Sequence, residues 1–243
     1  MYKRQIDDIV YLVESNGLIV TDFATSTGDV DAFSHRIVCG EKETYLIGYS
    51  QNKKTAARIH FDIAHELGHI LLHNWNEDLE NIDKEDFKDI EQEAHSFASA
   101  FLLPEKEFSE DVRPYATNLA YYAELKKRWK VSIAAMIRRS KDLGIISNDD
   151  YSKLMRNMQK QGIRKVEPLD DELRTAEPSL LRQAIKILFE ENVFTPSEFL
   201  EELSTEYGLT IYSNDIESIL SLKEGTFNEE KQTKVFISLK PKE

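Results

Sequence analysis

The first fifty residues change from a helical to a strand-like pattern of apolar positions. Four apolar residues recur at the three- and four-residue spacing of one helix face: Ile6, Ile9, Val10 and Val13. Asn16-Gly17 then supplies a stop signal. Residues 17–24, 31–40 and 43–50 follow, rich in β-branched and aromatic residues. The pattern therefore predicts one helix and then three strands.

From residue 51 onward the apolar spacing is helical. The segment 51–75 has apolar residues on most of its sides, which is typical of a helix largely buried in a domain. A second helix is predicted over 84–103, two more within 118–144, and further helices after a linker at 167–178. A terminal strand is predicted at 234–240. The predicted fold class is α+β and mostly helical, with a small sheet, two helices beside it, and helical appendages.

Composition places the chain among globular proteins. Of its 243 residues, 41% are hydrophobic and 31% are charged, which is too apolar for a disordered chain. Charges near the N-terminus interrupt the apolar core of a signal peptide, and no apolar run approaches the roughly 20 residues of a membrane span. The lone cysteine, Cys39, excludes an internal disulfide and favours a reducing compartment. We therefore expect a cytoplasmic protein with no membrane partner.

The net charge of −13 hides an asymmetry along the chain. Between Glu124 and Lys165, twelve lysines and arginines stand against four acidic residues. Between Glu167 and Glu224, fourteen acidic residues stand against four basic ones. Segments of such different charge are expected to have different partners.

The stretch "HELGH" at 65–69 carries the candidate chemistry. Residues four apart on a helix lie about 40° apart around its axis, so His65 and His69 present two imidazoles to one point, as two zinc ligands do. Glu66 is offset by about 100° and can stand beside a metal as a general base without binding it. The alternative is a chance match on a buried helix, because short strings of this kind also occur by accident.

A metal site of this class needs a third protein ligand, and the second helix offers one. Glu91, Ala94, His95 and Ala98 share a helix face, and the small residues on it allow a close helix approach. Glu91 is then predicted to reach the metal and His95 to lie one turn further on, outside the ligand set. Glu93 is predicted to face solvent. Gly68, which costs roughly 1 kcal/mol in a helix, indicates that another backbone packs against it.

The stretches "RIHFDIAHELGHILLH" and "EQEAHSFASAFLLPEKEF" resemble the ImmA/IrrE family of bacterial metallopeptidases. The family is similar to gluzincins, in which a glutamate on the second helix completes the zinc site. The resemblance implies a gluzincin-like sheet, one Zn²⁺ held by His65, His69 and Glu91, and Glu66 as general base. The family usually has asparagine where this chain has His95.

The same resemblance implies a substrate and a way of holding it. Such peptidases cleave helix-turn-helix repressors of the Xre type and thereby release stress or mobile-element genes. Their substrate lies as an added strand on the sheet edge, for which the sequence offers Tyr45, Ile47 and Tyr49 on the third strand. His73 is expected either beside His69 or in a helix-end contact. An additional oxyanion donor could be Tyr49, Tyr121, Tyr122 or His73, and the sequence does not choose between them.

The basic segment supports an alternative function. Residues 118–142 have the helix, turn and helix of a DNA-binding motif, with Arg138 and Arg139 on the second helix. In this alternative the protein is a non-proteolytic regulator that binds DNA or a repressor; otherwise the hairpin is a packing element with solvated charges. Three domains are predicted: a zinc metallopeptidase domain at 1–115, a basic helix-turn-helix-like hairpin at 116–165, and an acidic helical domain at 166–243.

Overall fold

A computed structural model describes residues 6–23, 30–50, 55–73 and 83–227. Helix α1, Ile9–Ser15, begins at Asp8, whose carboxylate accepts a hydrogen bond from the Tyr11 amide at 3.2 Å, and ends at Asn16. Three strands follow, β1 (Ile19–Phe23), β2 (Ala32–Cys39) and β3 (Lys42–Ser50). The predicted helix and three strands are all present. The predicted strand at 234–240 lies outside the described residues.

The three strands form a mixed sheet in the order β1-β3-β2. β3 pairs in parallel with β1 and antiparallel with β2. The prediction that Tyr45, Ile47 and Tyr49 form the substrate-binding edge is therefore wrong, because β3 is the central strand and its backbone groups bond to a neighbour on each side. Ile47 and Tyr49 are buried in the core, and the Tyr45 hydroxyl donates to Glu43. In the described part of the chain, β1 and β2 are the edges.

Helices α2 (Ala56–Leu72) and α3 (Lys84–Leu102) pack against each other beside the sheet. The Thr55 hydroxyl caps the start of α2, and α3 ends just before Pro104, as its sequence predicts. A Cβ placed on Gly68 would lie 3.1 Å from the Ala94 Cα atom and 3.2 Å from the Ala94 carbonyl oxygen. The close backbone approach predicted at Gly68 is thus confirmed, and the partner is α3.

The helices that follow continue the same hydrophobic core. They are α4 (Glu105–Val112), a short 3-10 helix (Arg113–Tyr115), α5 (Leu119–Trp129), α6 (Ile133–Asp142) and α7 (Asn148–Lys160). The core extends from Ile9 and Ile47 through Ile63 to Trp129 and Met136. The hairpin α5–α6 is therefore packed into the same core as the sheet and α2.

The segment 167–178, predicted as a linker, is held by hydrogen bonds to these helices. The Glu167 carboxylate accepts from the Ile133 amide at 2.7 Å and from the Ala134 amide at 3.1 Å, at the start of α6. The Lys126 ammonium is fully buried and donates to Glu167 at 2.7 Å and to Asp170 at 2.5 Å. A buried ammonium needs such partners, so this segment completes the interior of the hairpin.

Further along, the same segment binds α1 and α2. The Thr175 hydroxyl lies 3.1 Å from Nε2 of the buried His60 and donates to Asp8 at 3.2 Å. The Glu14 carboxylate accepts from the Ser179 amide at 2.9 Å. The sequence pattern missed these contacts because the segment is polar and lacks a periodic apolar face.

The chain divides into two compact units, residues 1–181 and 182–243. The later helices are α8 (Leu180–Glu190), α9 (Pro196–Thr205) and α10 (Ser213–Ile219). The predicted domain boundaries at 115 and 165 stay predictions. None of the described helices is long and apolar enough to cross a bilayer. The predicted fold class, α+β and mostly helical, is confirmed.

Candidate metal centre

Two imidazoles of α2 meet at one point. The Nε2 atoms of His65 and His69 lie 3.0 Å apart, as the four-residue spacing predicts. Both rings are partly buried, and burial lowers the pKa of His65 to about 4, with the neighbouring His69 acting in the same direction. The pKa of His69 is lowered as well, again mainly by burial. Both imidazoles are therefore neutral near pH 7, which is the form that binds a metal.

α3 brings a carboxylate to the same point. Glu91 Oε2 lies 3.3 Å from His65 Nε2, and Glu91 Oε1 lies 3.4 Å from His69 Nε2. Ala94 and Ala98, on the same face of α3, are fully buried, so the two helices are close enough for Glu91 to reach both rings. The geometry brings together the three residues predicted as ligands.

These separations fit a tetrahedral zinc ion. Zinc bonds of about 2.0–2.1 Å at tetrahedral angles place neighbouring ligand atoms about 3.3–3.4 Å apart. The two Nε2 atoms are 3.0 Å apart, and each lies 3.3 or 3.4 Å from a different oxygen of the Glu91 carboxylate, so a single ion can bind all three residues with little movement. Two neutral imidazoles and one carboxylate also make a donor set that zinc accepts.

His95 lies at the exposed side of this point. Its ring centroid is 4.7 Å from that of His65, and ligand atoms of His65, Glu91 and His95 lie within 4.8 Å of one another. His95 is thus close enough to contact a bound metal or its ligands. His65, Glu91 and His95 could themselves hold a metal ion, so the placement of His95 outside the ligand set stays a prediction.

His73 and Glu93 continue the site behind His69. His69 Nδ1 lies 2.9 Å from His73 Nδ1, and His73 Nε2 lies 3.3 Å from Glu93 Oε2. If His69 binds a metal through Nε2, its Nδ1–H donates to His73 Nδ1, and His73 Nε2–H then donates to Glu93. Glu93 is exposed, as predicted, but its contact with His73 was not predicted. The arrangement would fix the tautomer and the ring orientation of His69.

Glu66 is buried beside the two histidines and held from the sheet. The Ser34 hydroxyl of β2 donates to Glu66 Oε2 at 2.6 Å. Burial raises the pKa of Glu66, the nearby Glu91 and Asp62 raise it further, and the Ser34 hydrogen bond opposes the increase. Sequence reasoning missed Ser34; the only available signal was a polar residue within the alternating pattern of residues 31–40.

The sequence profile of the IrrE N-terminal-like domain, peptidase family M78, matches residues 16–141, just over half of the chain. The chain belongs to this family. The match covers the sheet, α2, α3 and the hairpin α5–α6, and it identifies the protein as a member of a metallopeptidase family. The resemblance noted from the two helices is thereby confirmed. No curated protein matched the chain.

Two of the tyrosines considered as oxyanion donors are hydrogen-bonded elsewhere in this IrrE-like domain, and the third is buried. The Tyr121 hydroxyl donates to the Asp111 carbonyl at 2.8 Å. The Tyr122 hydroxyl lies 2.8 Å from the Ala116 carbonyl oxygen and is buried in the core. Tyr49 is buried in the central strand, where burial raises the pKa of its hydroxyl. Of the four candidates, only His73 is brought to the centre, behind His69.

Proposed function

We propose that the protein is a zinc-dependent endopeptidase. One observation carries the proposal: two imidazole nitrogens and the carboxylate of Glu91 converge with separations of 3.0–3.4 Å, close to those of tetrahedral zinc ligands, and a buried carboxylate, Glu66, follows directly after the first histidine. A protein that only binds a partner has no need for a buried carboxylate beside two metal-binding histidines. Membership of a metallopeptidase family supports the same chemistry.

In the proposed reaction Glu66 transfers the proton. Zinc, when bound, lowers the pKa of water from 15.7 to about 7 and polarises the scissile carbonyl. The Glu66 carboxylate accepts a proton from the attacking water and returns it to the leaving amine. Because the Ser34 hydroxyl occupies Oε2, Oε1 remains available for this proton. Burial raises the pKa of Glu66, which strengthens it as a base.

Among the described residues no strand pairs with the outer side of β2, and this edge is the proposed place for the substrate backbone. The Ser50 amide donates to the Asp31 carbonyl at 2.8 Å, which makes residues 31 and 50 a hydrogen-bonded pair. Bonded and non-bonded pairs alternate along an antiparallel ladder, so the backbone groups of Ala32, Ser34 and Arg36 point away from β3. An extended peptide that pairs with this edge would pass Ser34, whose side chain holds Glu66.

We further propose an Xre-type helix-turn-helix repressor as the substrate, with release of stress or mobile-element genes as the result of cleavage in the cytoplasm. The family resemblance supports this target. The test is co-expression with an Xre-type repressor encoded beside this gene, with a Glu66→Gln protein as the matched control. We expect the repressor to be cleaved by the wild type alone. If the wild type cleaves other peptides but leaves the repressor intact, the proposed target is wrong and the proposed peptidase activity is still supported.

The alternative, DNA binding through residues 118–142, has less support. Arg139 Nε donates to the Leu103 carbonyl at 3.2 Å, and Arg138 and Arg139 both line a cleft against α3. A recognition helix needs its reading residues free to enter a groove. This placement favours a role for Arg139 beside the candidate metal centre.

A further inference from the structure

A cleft with a volume of about 640 Å³ lies between α3 and α6. It is lined by polar and charged residues of both helices and by one aromatic residue of α2. These residues include Phe61, Gln92, His95, Ser96, Arg138 and Arg139. His95 joins the cleft to the metal centre, because its ring is 4.7 Å from the ring of His65. A ligand in the cleft would therefore lie directly beside the reacting atoms.

The cleft has an excess of positive charge. Its charged lining consists of Arg138, Arg139 and Asp142. Asp142 is 3.9 Å from Arg138 Nε, at the limit of an ion pair. Arg139 is half-buried and oriented by its bond to the Leu103 carbonyl, and it has no carboxylate partner among the described residues. One guanidinium is thus held in place without a counter-charge.

We propose that this cleft binds an acidic side chain of the substrate close to the scissile bond, an inference that rests on the proposed peptidase function. Guanidinium groups bind carboxylates through paired, charge-assisted hydrogen bonds, which neutral side chains cannot match. Successive residues of an extended peptide are about 3.3 Å apart, so a side chain that enters beside His95 belongs to a residue near the cleaved bond. Cavities of this volume hold a small ligand or a side chain and not a nucleic-acid duplex.

The test uses a peptide library that is degenerate at every position, digested by the zinc-loaded full-length protein. Cut sites are read by mass spectrometry. Four proteins are compared: the wild type, Arg139→Gln, Arg139→Glu and the control Arg156→Gln, which changes an exposed arginine of α7 outside the cleft. Circular dichroism checks that each variant is folded.

We expect the wild type to cleave peptides with Asp or Glu at one fixed position near the cut about ten- to hundredfold faster than those with Asn or Gln, the range of a charged hydrogen bond. Arg139→Gln should weaken this preference, Arg139→Glu should turn it towards Lys and Arg, and Arg156→Gln should leave it unchanged. A wild type without acidic preference, or an Arg139→Glu protein that keeps it, would overturn the proposal.

A second measurement separates this inference from the peptidase function itself. Zinc-loaded Glu66→Gln protein is immobilised and the same library is passed over it. We expect acidic peptides to be retained in preference to their amide counterparts. If the wild type cleaves nothing, the peptidase proposal fails, and the retention experiment then tests by itself whether the cleft binds acidic side chains. Equal retention of acidic and amide peptides would reject the cleft as an anion site.

Discussion

The hydroxyl of Ser34 donates to Glu66 Oε2 at 2.6 Å and so connects the edge strand to the buried carboxylate of α2. The same residue has its backbone groups on the free edge of β2, by the alternation of the antiparallel ladder. A peptide that pairs with this edge would therefore change the surroundings of the hydrogen bond that orients the proposed base. In the proposed mechanism, substrate binding and base orientation would be coupled through one side chain.

Glu66→Gln tests the role of the carboxylate. We expect the variant to keep its metal, because Glu66 is not among the three converging donors, and to lose about 10²–10⁴ in kcat, because an amide cannot accept the proton. Peptide cleavage and zinc content are measured on the same sample. Full activity in a zinc-loaded variant would exclude Glu66 as the base.

Ser34→Ala should change the pH dependence of cleavage. The Ser34 hydrogen bond holds the pKa of Glu66 down against the effect of burial, so its loss should raise that pKa further. A base with a higher pKa is protonated at a higher pH, and the acid limb of the kcat/KM profile should therefore move to higher pH. Ser34→Thr, which keeps a hydroxyl, is the control and should restore the wild-type limb. An unchanged limb in Ser34→Ala would mean that the bond has no influence on the base.

Glu91→Ala and Glu93→Ala form a matched pair for the metal. Both glutamates are on α3, but only the carboxylate of Glu91 meets the two imidazoles, at 3.3 and 3.4 Å. We expect about one zinc per wild-type chain, as in a single catalytic site, and loss of most of it in Glu91→Ala. Glu93→Ala should still purify with zinc. The reverse outcome in elemental analysis would contradict the ligand assignment.

His73→Ala should weaken zinc binding without abolishing it. His73 Nδ1 lies 2.9 Å from His69 Nδ1 and would accept its proton, which fixes the tautomer that leaves Nε2 for the metal. Loss of such a partner typically costs about 10–100-fold in metal affinity. Competition with a chromophoric chelator measures the change, and His35→Ala, on an exposed strand position, serves as the control. Equal affinities in all three proteins would show that His73 does not position His69.

Acid should destabilise the protein partly through His60. Burial lowers the pKa of His60 to about 4, against an ordinary value near 6.5. Between these two pH values the imidazole is protonated in the unfolded chain and neutral in the folded chain. The contribution of neutral His60 to the free energy of unfolding is therefore complete above about pH 6.5 and is lost progressively between about pH 6.5 and 4. Between pH 7 and 5 the loss is about 2 kcal/mol. Urea unfolding of the wild type and of His60→Gln at pH 7 and pH 5 measures this loss of stability. The variant should lose less stability than the wild type, and identical losses would show that His60 is not the group responsible.

The sequence predicted the centre better than its surroundings, for a physical reason. Helical geometry fixes the relation of His65 to His69, so their convergence follows from spacing alone. Gly68 indicated that another backbone packs closely against α2, because a glycine inside a helix is unfavourable unless the missing side chain makes room for a neighbour. Ser34 and the order of the strands could not be predicted in this way, because strand pairing depends on contacts between residues far apart in sequence. Alternation within 43–50 is equally compatible with a central or an edge strand.

The segment 167–178 shows a second limit of sequence patterns. It has turn-forming and acidic residues, which are typical of a linker, yet Glu167 and Asp170 are needed by the buried ammonium of Lys126. Nothing in the local pattern reveals that Lys126 is buried, because lysines on helices are usually exposed. Which residue pairs with a buried charge depends on tertiary contacts and cannot be read from the local sequence.

The position of Glu167 determines where this protein can be divided. A gene fusion or an expression fragment that stopped at residue 165 would leave the Lys126 ammonium buried without its counter-ions and the first amides of α6 without an acceptor. Loss of one partner of a buried ion pair costs about 3–5 kcal/mol, a large part of the stability of an ordinary domain. Recombination that exchanges the C-terminal part of the protein would therefore succeed only at a junction beyond the contacts of Ser179 with Glu14. A fragment that keeps these contacts together with the candidate metal centre would end near residue 181, where the first compact unit ends.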